Sequence, residues 1–235
     1  MNKTALFLSP HFDDEVLLGG GTIQVLKSNG WNIVDVGFTG SEESGVTVSK
    51  TWQSIKEVQR ILKIDEVMKL NFLDMHVEEE SGRLIKRIIE MVRKYEPDVV
   101  FTTCKDFHID HRALAKYSPE AIYQASRLGI CGATRTYKEP LLLLGKVDME
   151  YPVKMKSNVF VELTKEQVDK KVEALQCFNY LKDAHPATLE IFSEEHSQAW
   201  IYSTTRLAGI EVGVKYAEIF EIGNLRPMVN LTNLI

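Results

Sequence analysis

Cysteine, basic charge and long apolar runs are all scarce in this sequence of 235 residues. Its three cysteines, Cys104, Cys131 and Cys177, are odd in number and never paired as Cys-x-x-Cys, which argues against a disulfide framework and a thiolate zinc site. No apolar run reaches the length of about 18 residues that a membrane helix needs, and Ala5–Leu8 is too short for a signal peptide. We therefore expect a reduced, cytoplasmic protein without a membrane span.

The balance of charges and turn residues excludes further classes. Lysine and arginine total 28 against 33 aspartates and glutamates, and this net charge of −5 argues against a partner of nucleic acid. Apolar residues make up 44% of the chain, so disorder and collagen-like structure are excluded. A chain of this length buries roughly 70% of its unfolded surface. With no repeat or composition break, we expect a single domain over residues 1–235.

Short apolar runs alternate with segments of helical periodicity over the first 135 residues. The runs predict strands, and apolar residues at helical spacing predict helices between them. This alternation is typical of βαβ units and predicts a three-layer α/β fold with a mainly parallel central sheet. The predicted strands are Ala5–Leu8, Ile33–Phe38, Val67–Phe72 and Val99–Thr103.

The pattern loosens beyond residue 135. There the sequence predicts two further strands, Leu141–Leu144 and Val159–Leu163, and a helix over Lys165–Leu181. The segment Val212–Ile222 fits a terminal helix or a terminal strand. The second half of the chain is therefore assigned less completely than the first.

Two polar clusters follow predicted strands. The first runs from Ser9 to Glu15 with the sequence SPHFDDE, and the second from Phe107 to Arg112 with the sequence FHIDHR. Half of the six histidines fall in these two clusters. In open parallel sheets, ligands bind beyond the carboxyl ends of the strands, so we expect the clusters to meet at one edge.

The residue types in the clusters are those of a catalytic zinc site. Such a site uses three protein ligands of nitrogen and oxygen and leaves a fourth position for water. His11 and Asp14 are three residues apart where a turn enters a helix, and His111 can approach the same point from the other cluster. We therefore predict His11, Asp14 and His111 as the zinc ligands.

The remaining polar residues of the clusters suit proton transfer. Asp13 projects differently from its neighbour and could accept a proton from metal-bound water. His108, if protonated, could stabilise an oxyanion or donate a proton to a leaving amine. Asp110 is two residues away and is a candidate to orient the His108 ring.

Each cluster also has a purely structural interpretation. Asp13, Asp14 and Glu15 at a helix start could simply cap the helix and interact with its dipole. The two histidines of the second cluster could lie on a solvated loop. The glycines Gly19–Gly21 lack the spacing of a phosphate-binding loop and indicate close packing instead. The polar loop Thr39–Ser49 is either solvated or one wall of a pocket.

The motifs resemble those of the PIG-L/LmbE-like deacetylases. The match spans most of the chain in order, and residues 130–200 match weakly. The motifs that carry the resemblance are Pro10–Glu15 followed by Gly19–Thr22, then Asp98–Thr102, His108–Ala113 and Gly213–Phe220. The resemblance implies a Rossmann-like fold and zinc-dependent removal of the acetyl group from N-acetylglucosamine-type sugars. The resemblance implies that Asp13 is the general base. It also implies that His108, oriented by Asp110, stabilises the oxyanion or protonates the leaving group. The implied zinc ligands are again His11, Asp14 and His111.

Two positions depart from the family pattern. Phe12 stands where proline is common, and no arginine occurs near 53–57, where family members often carry one, which bears on substrate recognition. The expected partner is a small N-acetylated sugar conjugate, and since family members often assemble, a homo-oligomer is compatible with the resemblance. Two alternatives remain open: a divalent-metal phosphohydrolase, and a non-catalytic sugar-binding protein that has kept the site.

Overall fold

The computed structural model describes residues 3–39, 48–132, 135–147, 155–179, 181 and 192–223. Within them, seven strands form one sheet and six α-helices pack against it, so the predicted three-layer, mainly parallel α/β fold is confirmed. The strands are β1 Thr4–Ser9, β2 Asn32–Thr39, β3 Glu66–Phe72, β4 Val99–Thr103, β5 Leu141–Gly145, β6 Val159–Leu163 and β7 Tyr216–Ile222. The helices are α1 Asp14–Ser28, α2 Val48–Leu62, α3 Ser81–Tyr95, α4 Ile109–Ala125, α5 Lys165–Gln176 and α6 Glu194–Val212.

The strand order is β3-β2-β1-β4-β5-β7-β6. The first five strands in this order pair in parallel, and β7 runs antiparallel to both of its neighbours. From β1 the chain moves outward to β2 and β3 and then returns to β4 on the opposite side. The strand order therefore reverses between β1 and β4, which opens a crevice at their carboxyl ends.

The core lies on both faces of the sheet because residues of a strand alternate between faces. In β1, Ala5 and Phe7 belong to one buried cluster and Leu6 and Leu8 to the other. The first cluster includes side chains of α1, α2, α5 and α6, and the second includes those of α3 and α4. A strand buried on both faces reads as a continuous apolar run, which explains why β1 and β4 were predicted from sequence.

Local signals set several helix boundaries. Glu96 follows α3 in the left-handed region with a φ of 42°, and Pro97 comes next. Thr164 and Gln167 form a reciprocal capping box at the start of α5. Gly213, with a φ of 81°, ends α6.

Two assignments in the second half need correction. The helix predicted over Lys165–Leu181 ends at Gln176, and Val212–Ile222 is a strand only from Tyr216 onward. The long helix α6 was not predicted, because several of its buried positions hold small or polar residues that give no apolar periodicity: Ser197, Thr205, Ala208 and Gly209.

No helix among the described residues has both the length and the apolar character of a membrane span.

Candidate metal centre

The first cluster lies in the turn between β1 and α1. Asp13 occupies the N-cap position of α1, but its side chain makes no capping hydrogen bond, so the capping interpretation does not account for this carboxylate. Asp14, in the first turn of the helix, is buried, and its Oδ2 accepts the backbone N–H of His11 at 2.8 Å. This short turn fixes the imidazole of His11 next to the carboxylate of Asp14.

The second cluster lies between β4 and α4. His108 is the N-cap of α4, and its Nδ1 accepts the backbone N–H of Asp110 at 3.3 Å. His111 lies in the first turn of the same helix and is 6% exposed. Since β1 and β4 are neighbours in the sheet, the two turns face each other across the crevice.

The three predicted ligand side chains form a triangle in which the two oxygens of Asp14 each face one imidazole. His11 Nδ1 lies 3.2 Å from Asp14 Oδ2 and 3.3 Å from His111 Nε2. His111 Nε2 lies 3.4 Å from Asp14 Oδ1. Ligands about 2.0–2.1 Å from a tetrahedral zinc ion are about 3.3–3.4 Å apart, so each of these pairwise distances is close to the spacing at such an ion.

Asp13 and His108 border the same space. A carboxylate oxygen of Asp13 and ligand atoms of His11 and Asp14 all lie within 4.8 Å of one another. The same is true of ring nitrogens of His11, His108 and His111. The His108 ring centroid lies 4.6 Å from the centroids of both other imidazoles.

Asp110 occupies a different place from the one expected. It contacts His108 through its backbone N–H, whereas its buried carboxylate accepts the backbone N–H groups of Met75 and Val77 at 2.8 and 3.1 Å. One of its oxygens also lies 3.5 Å from His11 Nε2. Asp110 therefore anchors the loop after β3 to the start of α4.

That loop carries Asp74, which sequence reasoning missed. Asp74 Oδ1 lies 3.1 Å from His11 Nε2, on the side of the ring opposite the ligand triangle. Met75, the next residue, adopts a φ of 64°, a conformation that side chains disfavour and that is often found at functional sites. Its N–H bonds to Asp74 and Asp110 hold it there.

A second missed residue is Asp106, in the loop between β4 and α4. Its side chain is fully buried, and its Oδ2 lies 2.6 Å from Nδ1 of His111. Its Oδ1 accepts the backbone N–H of His108 at 2.8 Å. An isolated aspartate outside a dense motif gives no sequence signal, so neither Asp74 nor Asp106 could be singled out.

The carboxylates favour positive charge at the centre. Burial lowers the pKa of His11, but hydrogen bonds with Asp110, Asp14 and Asp74 outweigh burial and raise it well above its usual value. For His111, burial is likewise outweighed, by the charge of Asp14 and by hydrogen bonds with Asp106 and Asp14, and its pKa is raised to about 9. Burial alone would raise the pKa of Asp14, yet the charge on His111 and hydrogen bonds from both imidazoles lower it.

The pKa values of the two flanking groups, Asp13 and His108, shift in the opposite directions to those of the aspartate and histidines among the predicted ligands. Burial and the charge of Asp14 raise the pKa of Asp13 to about 7. Burial and the positive charges of His11 and His111 lower the pKa of His108 to about 4. His108 is therefore a neutral ring, and because its Nδ1 accepts a hydrogen bond, the proton lies on Nε2.

Phe12 contributes packing rather than chemistry. Its buried ring covers Gly37 of β2, where a Cβ atom would lie 2.4 Å from Phe12 Cζ, and it also packs near Trp52. Of the loop Thr39–Ser49, residues 40–47, with Ser41 and Glu43, lie outside the described residues.

Comparison with known structures places the fold among those of several enzymes. A conserved protein from Thermus thermophilus is 21% identical, with a TM-score of 0.77 over 97% of both chains. The N,N'-diacetylchitobiose deacetylase from Pyrococcus horikoshii is 20% identical, with a TM-score of 0.76 over 99% of this chain and 89% of the other. The 4-carboxy-2-hydroxymuconate hydratase from Pseudomonas putida is 18% identical, with a TM-score of 0.68 over 97% and 98%. Since a hydratase shares the fold, the fold alone does not fix the reaction.

A sequence profile gives a more specific relationship. The profile of the PIG-L family, described as GlcNAc-PI de-N-acetylase, matches residues 6–122. That range contains both polar clusters, all of β4 and most of β1. Residues 6–122 of this chain therefore form a PIG-L family domain.

Proposed function

We propose that this protein is a zinc-dependent amidohydrolase that removes the acetyl group from an N-acetylated amino sugar conjugate of the N-acetylglucosamine type. The observation that carries the proposal is the triangle formed by His11 Nδ1, His111 Nε2 and the carboxylate of Asp14. Two imidazole nitrogens and one carboxylate suit zinc better than magnesium, which prefers oxygen ligands. The relationship to the PIG-L family supports the choice of reaction.

These three residues would hold the zinc ion. When bound, zinc would lower the pKa of a coordinated water toward 7 and polarise the amide carbonyl. Every other task falls to side chains of the chain itself. The net reaction adds water across the amide: a C–O bond forms, the C–N bond breaks, and acetate and an amine result.

Asp13 is assigned as the general base. Its carboxylate borders the ligand atoms of His11 and Asp14, and it is not used to cap α1. A carboxylate in this position can accept a proton from the attacking water and then deliver it to the departing amine nitrogen.

We assign His108 as the hydrogen-bond donor to the carbonyl oxygen of the substrate. Because Nδ1 accepts the N–H of Asp110, the neutral ring presents an N–H at Nε2. That group can donate a hydrogen bond to the oxygen as negative charge develops there, and a donor fixed in advance loses no energy to reorientation. The geometry therefore favours the oxyanion role over proton donation by an imidazolium.

Acetate release tests the proposal. The protein would be loaded with zinc and assayed on a panel of N-acetylglucosamine conjugates, with Asp13→Asn measured beside the wild type. We expect the substitution to reduce kcat about 100- to 10,000-fold while zinc content stays the same, since a lost general base costs about that much. The matched control is Asp98→Asn. Asp98 precedes β4, at the end of the strand away from the metal centre, so this variant should retain activity.

Three results would contradict the proposal. The base assignment fails if Asp13→Asn releases acetate as fast as the wild type. The hydrolase assignment fails if sugars bind the zinc-loaded protein and none is turned over, which would indicate a binding protein. The zinc assignment fails if metal analysis of the untreated protein finds magnesium, which would favour a phosphohydrolase.

A further inference from the structure

The loop between β4 and α4 contains a carboxylate that the proposed reaction does not use. Asp106 lies three residues before α4 begins, and its side chain is 0% exposed. The loop is held in place at its start, where the N–H of Cys104 donates to the carbonyl of Gly145 in β5 at 2.7 Å. A charged group buried this completely needs hydrogen-bonding partners.

A purely local role in the turn would account for the contact of only one of the two carboxylate oxygens of Asp106. Asp106 Oδ1 accepts the N–H of His108, two residues ahead, a common contact in turns that precede helices. This bond leaves Oδ2 available. The helix cap is provided by His108 itself, so Asp106 is not required as a cap.

The second oxygen is directed at a metal-ligand candidate. Asp106 Oδ2 lies 2.6 Å from His111 Nδ1, on the side of the ring opposite Nε2. A carboxylate cannot donate, so the proton of this hydrogen bond must lie on Nδ1. Nε2, which faces His11 and Asp14, then keeps its lone pair for a ligand whenever the ring is neutral.

We infer that Asp106 is a positioning residue that fixes the tautomer and orientation of His111 and, through the backbone of His108, the position of the oxyanion donor. The inference rests on the proposed metal site. A single carboxylate thus couples two imidazoles with different tasks. Loss of such an outer partner of a metal-bound histidine typically reduces metal affinity 10- to 100-fold, and we expect about that loss here.

The test measures zinc affinity rather than turnover. Zinc would be titrated against a chelator of known affinity in the wild type, Asp106→Asn, Asp106→Ala and Asp98→Asn. Asp98 is a matched control because its carboxylate also accepts a backbone N–H, that of Thr4, at the opposite end of β4. We expect Asp106→Ala to bind zinc most weakly, Asp106→Asn to be intermediate because one oxygen remains, and the control to match the wild type.

A second readout needs no metal. In the metal-free protein, the Nδ1–H of His111 should be protected from exchange with water and visible in a ¹H–¹⁵N correlation spectrum. This signal should vanish in Asp106→Ala and persist in Asp98→Asn. A role of Asp106 in folding alone would not remove one imidazole proton selectively, and circular dichroism would check that each variant is folded.

The outcomes separate this inference from the proposed function. If the wild type binds no zinc while the Nδ1–H signal depends on Asp106, the metal site is wrong and the positioning of His111 stands. If the Asp106 variants bind zinc as tightly as the wild type, the inference is wrong and the metal site stands. If Asp106→Ala unfolds, the zinc affinity and the His111 Nδ1–H signal of Asp106→Asn decide whether the inference holds.

Discussion

At the residue scale, the surroundings of the candidate metal centre hold several buried carboxyl groups close together. Asp35 of β2 is one of them, and it accepts a hydrogen bond from the Ser9 hydroxyl at 2.7 Å. Burial raises the pKa of Asp35 to about 7, the Ser9 hydrogen bond opposes this, and the charge of Asp14 adds to it. Asp35 is therefore a group whose protonation should affect folding.

The substitution Asp35→Asn should flatten the dependence of stability on pH. A carboxyl group with a pKa of about 7 when folded and near 3.8 when unfolded holds its proton better in the folded state. Its stabilising contribution is complete below the unfolded pKa and is lost as the pH rises through 7. Between pH 5 and pH 8 the wild type should lose about 2–3 kcal/mol of unfolding free energy through this group, and Asp35→Asn should not.

Urea unfolding of the metal-free protein at several pH values measures this difference. Ser9→Ala is an informative companion, because removing the hydroxyl should raise the pKa of Asp35 further and extend the loss to higher pH. Parallel curves for wild type and Asp35→Asn would show that Asp35 does not titrate in this range.

Residues of the candidate site differ in how far sequence reveals them. Six of them stand in two dense motifs after strands, so they could be singled out from spacing and from family resemblance. Asp74 and Asp106 contact the imidazoles just as directly, yet each reaches its partner through a loop conformation. Sequence spacing does not encode that conformation, and only the folded chain identifies them.

At the scale of single elements, helix α1 is interrupted after its first turn. Gly19 has non-helical angles, and the carbonyl and N–H groups freed there find partners from other elements. Lys171 of α5 donates to the carbonyl of Leu17, and Glu218 of β7 accepts the N–H groups of Gly21 and Thr22. Lys171 and Glu218 are both buried and form an ion pair of 2.6 Å.

Glycine at position 21 follows from this arrangement. A Cβ atom there would lie 2.4 Å from Leu163 Cδ1 and 3.2 Å from Glu218 Oε1, so a side chain would displace Leu163 and crowd the carboxylate. The sequence-based interpretation of the three glycines as a packing feature agrees with these contacts.

Replacing Lys171 with methionine should destabilise the fold strongly. The substitution leaves Glu218 buried without its cation, and breaking a buried pair typically costs about 3–5 kcal/mol of unfolding free energy. Adding Glu218→Gln should recover part of the loss, since an amide oxygen can still accept an N–H group. Thermal and urea unfolding provide the measurement.

Lys165→Met is the matched control, because it makes the same change on the same helix. Lys165 pairs with Asp169 at 2.8 Å, but its side chain is 62% exposed. Exposed pairs contribute little, so we expect no clear change in stability. Equal destabilisation by Lys171→Met and Lys165→Met would refute a special role of the buried pair.

At the scale of the whole molecule, the candidate centre connects elements that are distant along the chain. His11 and Asp14 follow β1, Asp74 follows β3, and His111 follows β4, so the chain must complete four parallel strands before these groups meet. The reversal of strand order between β1 and β4 places them at a single crevice. A metal bound there would cross-link the folded state.

Zinc should therefore raise the stability of the whole fold. A ligand that binds only the folded state stabilises it by about 2.7 kcal/mol when its free concentration is about 100 times Kd. We expect Tm to rise with zinc concentration in the wild type and to change little in His111→Ala, which lacks one ligand. Lys165→Met, which leaves the centre intact, should respond like the wild type, and an equal rise in His111→Ala would argue against the predicted ligand set.

The sequence by itself determined the class of fold and the two ligand-rich motifs of the candidate centre. Buried parallel strands appear as continuous apolar runs, and ligand-rich motifs stand directly after them, so both are properties of neighbouring residues. Only the tertiary structure decided the strand order, the helix α6, the break in α1 and the carboxylates that contact the outer ring nitrogens of His11 and His111. These depend on contacts between segments far apart in the chain, and the spacing of residues along one segment carries no record of such contacts.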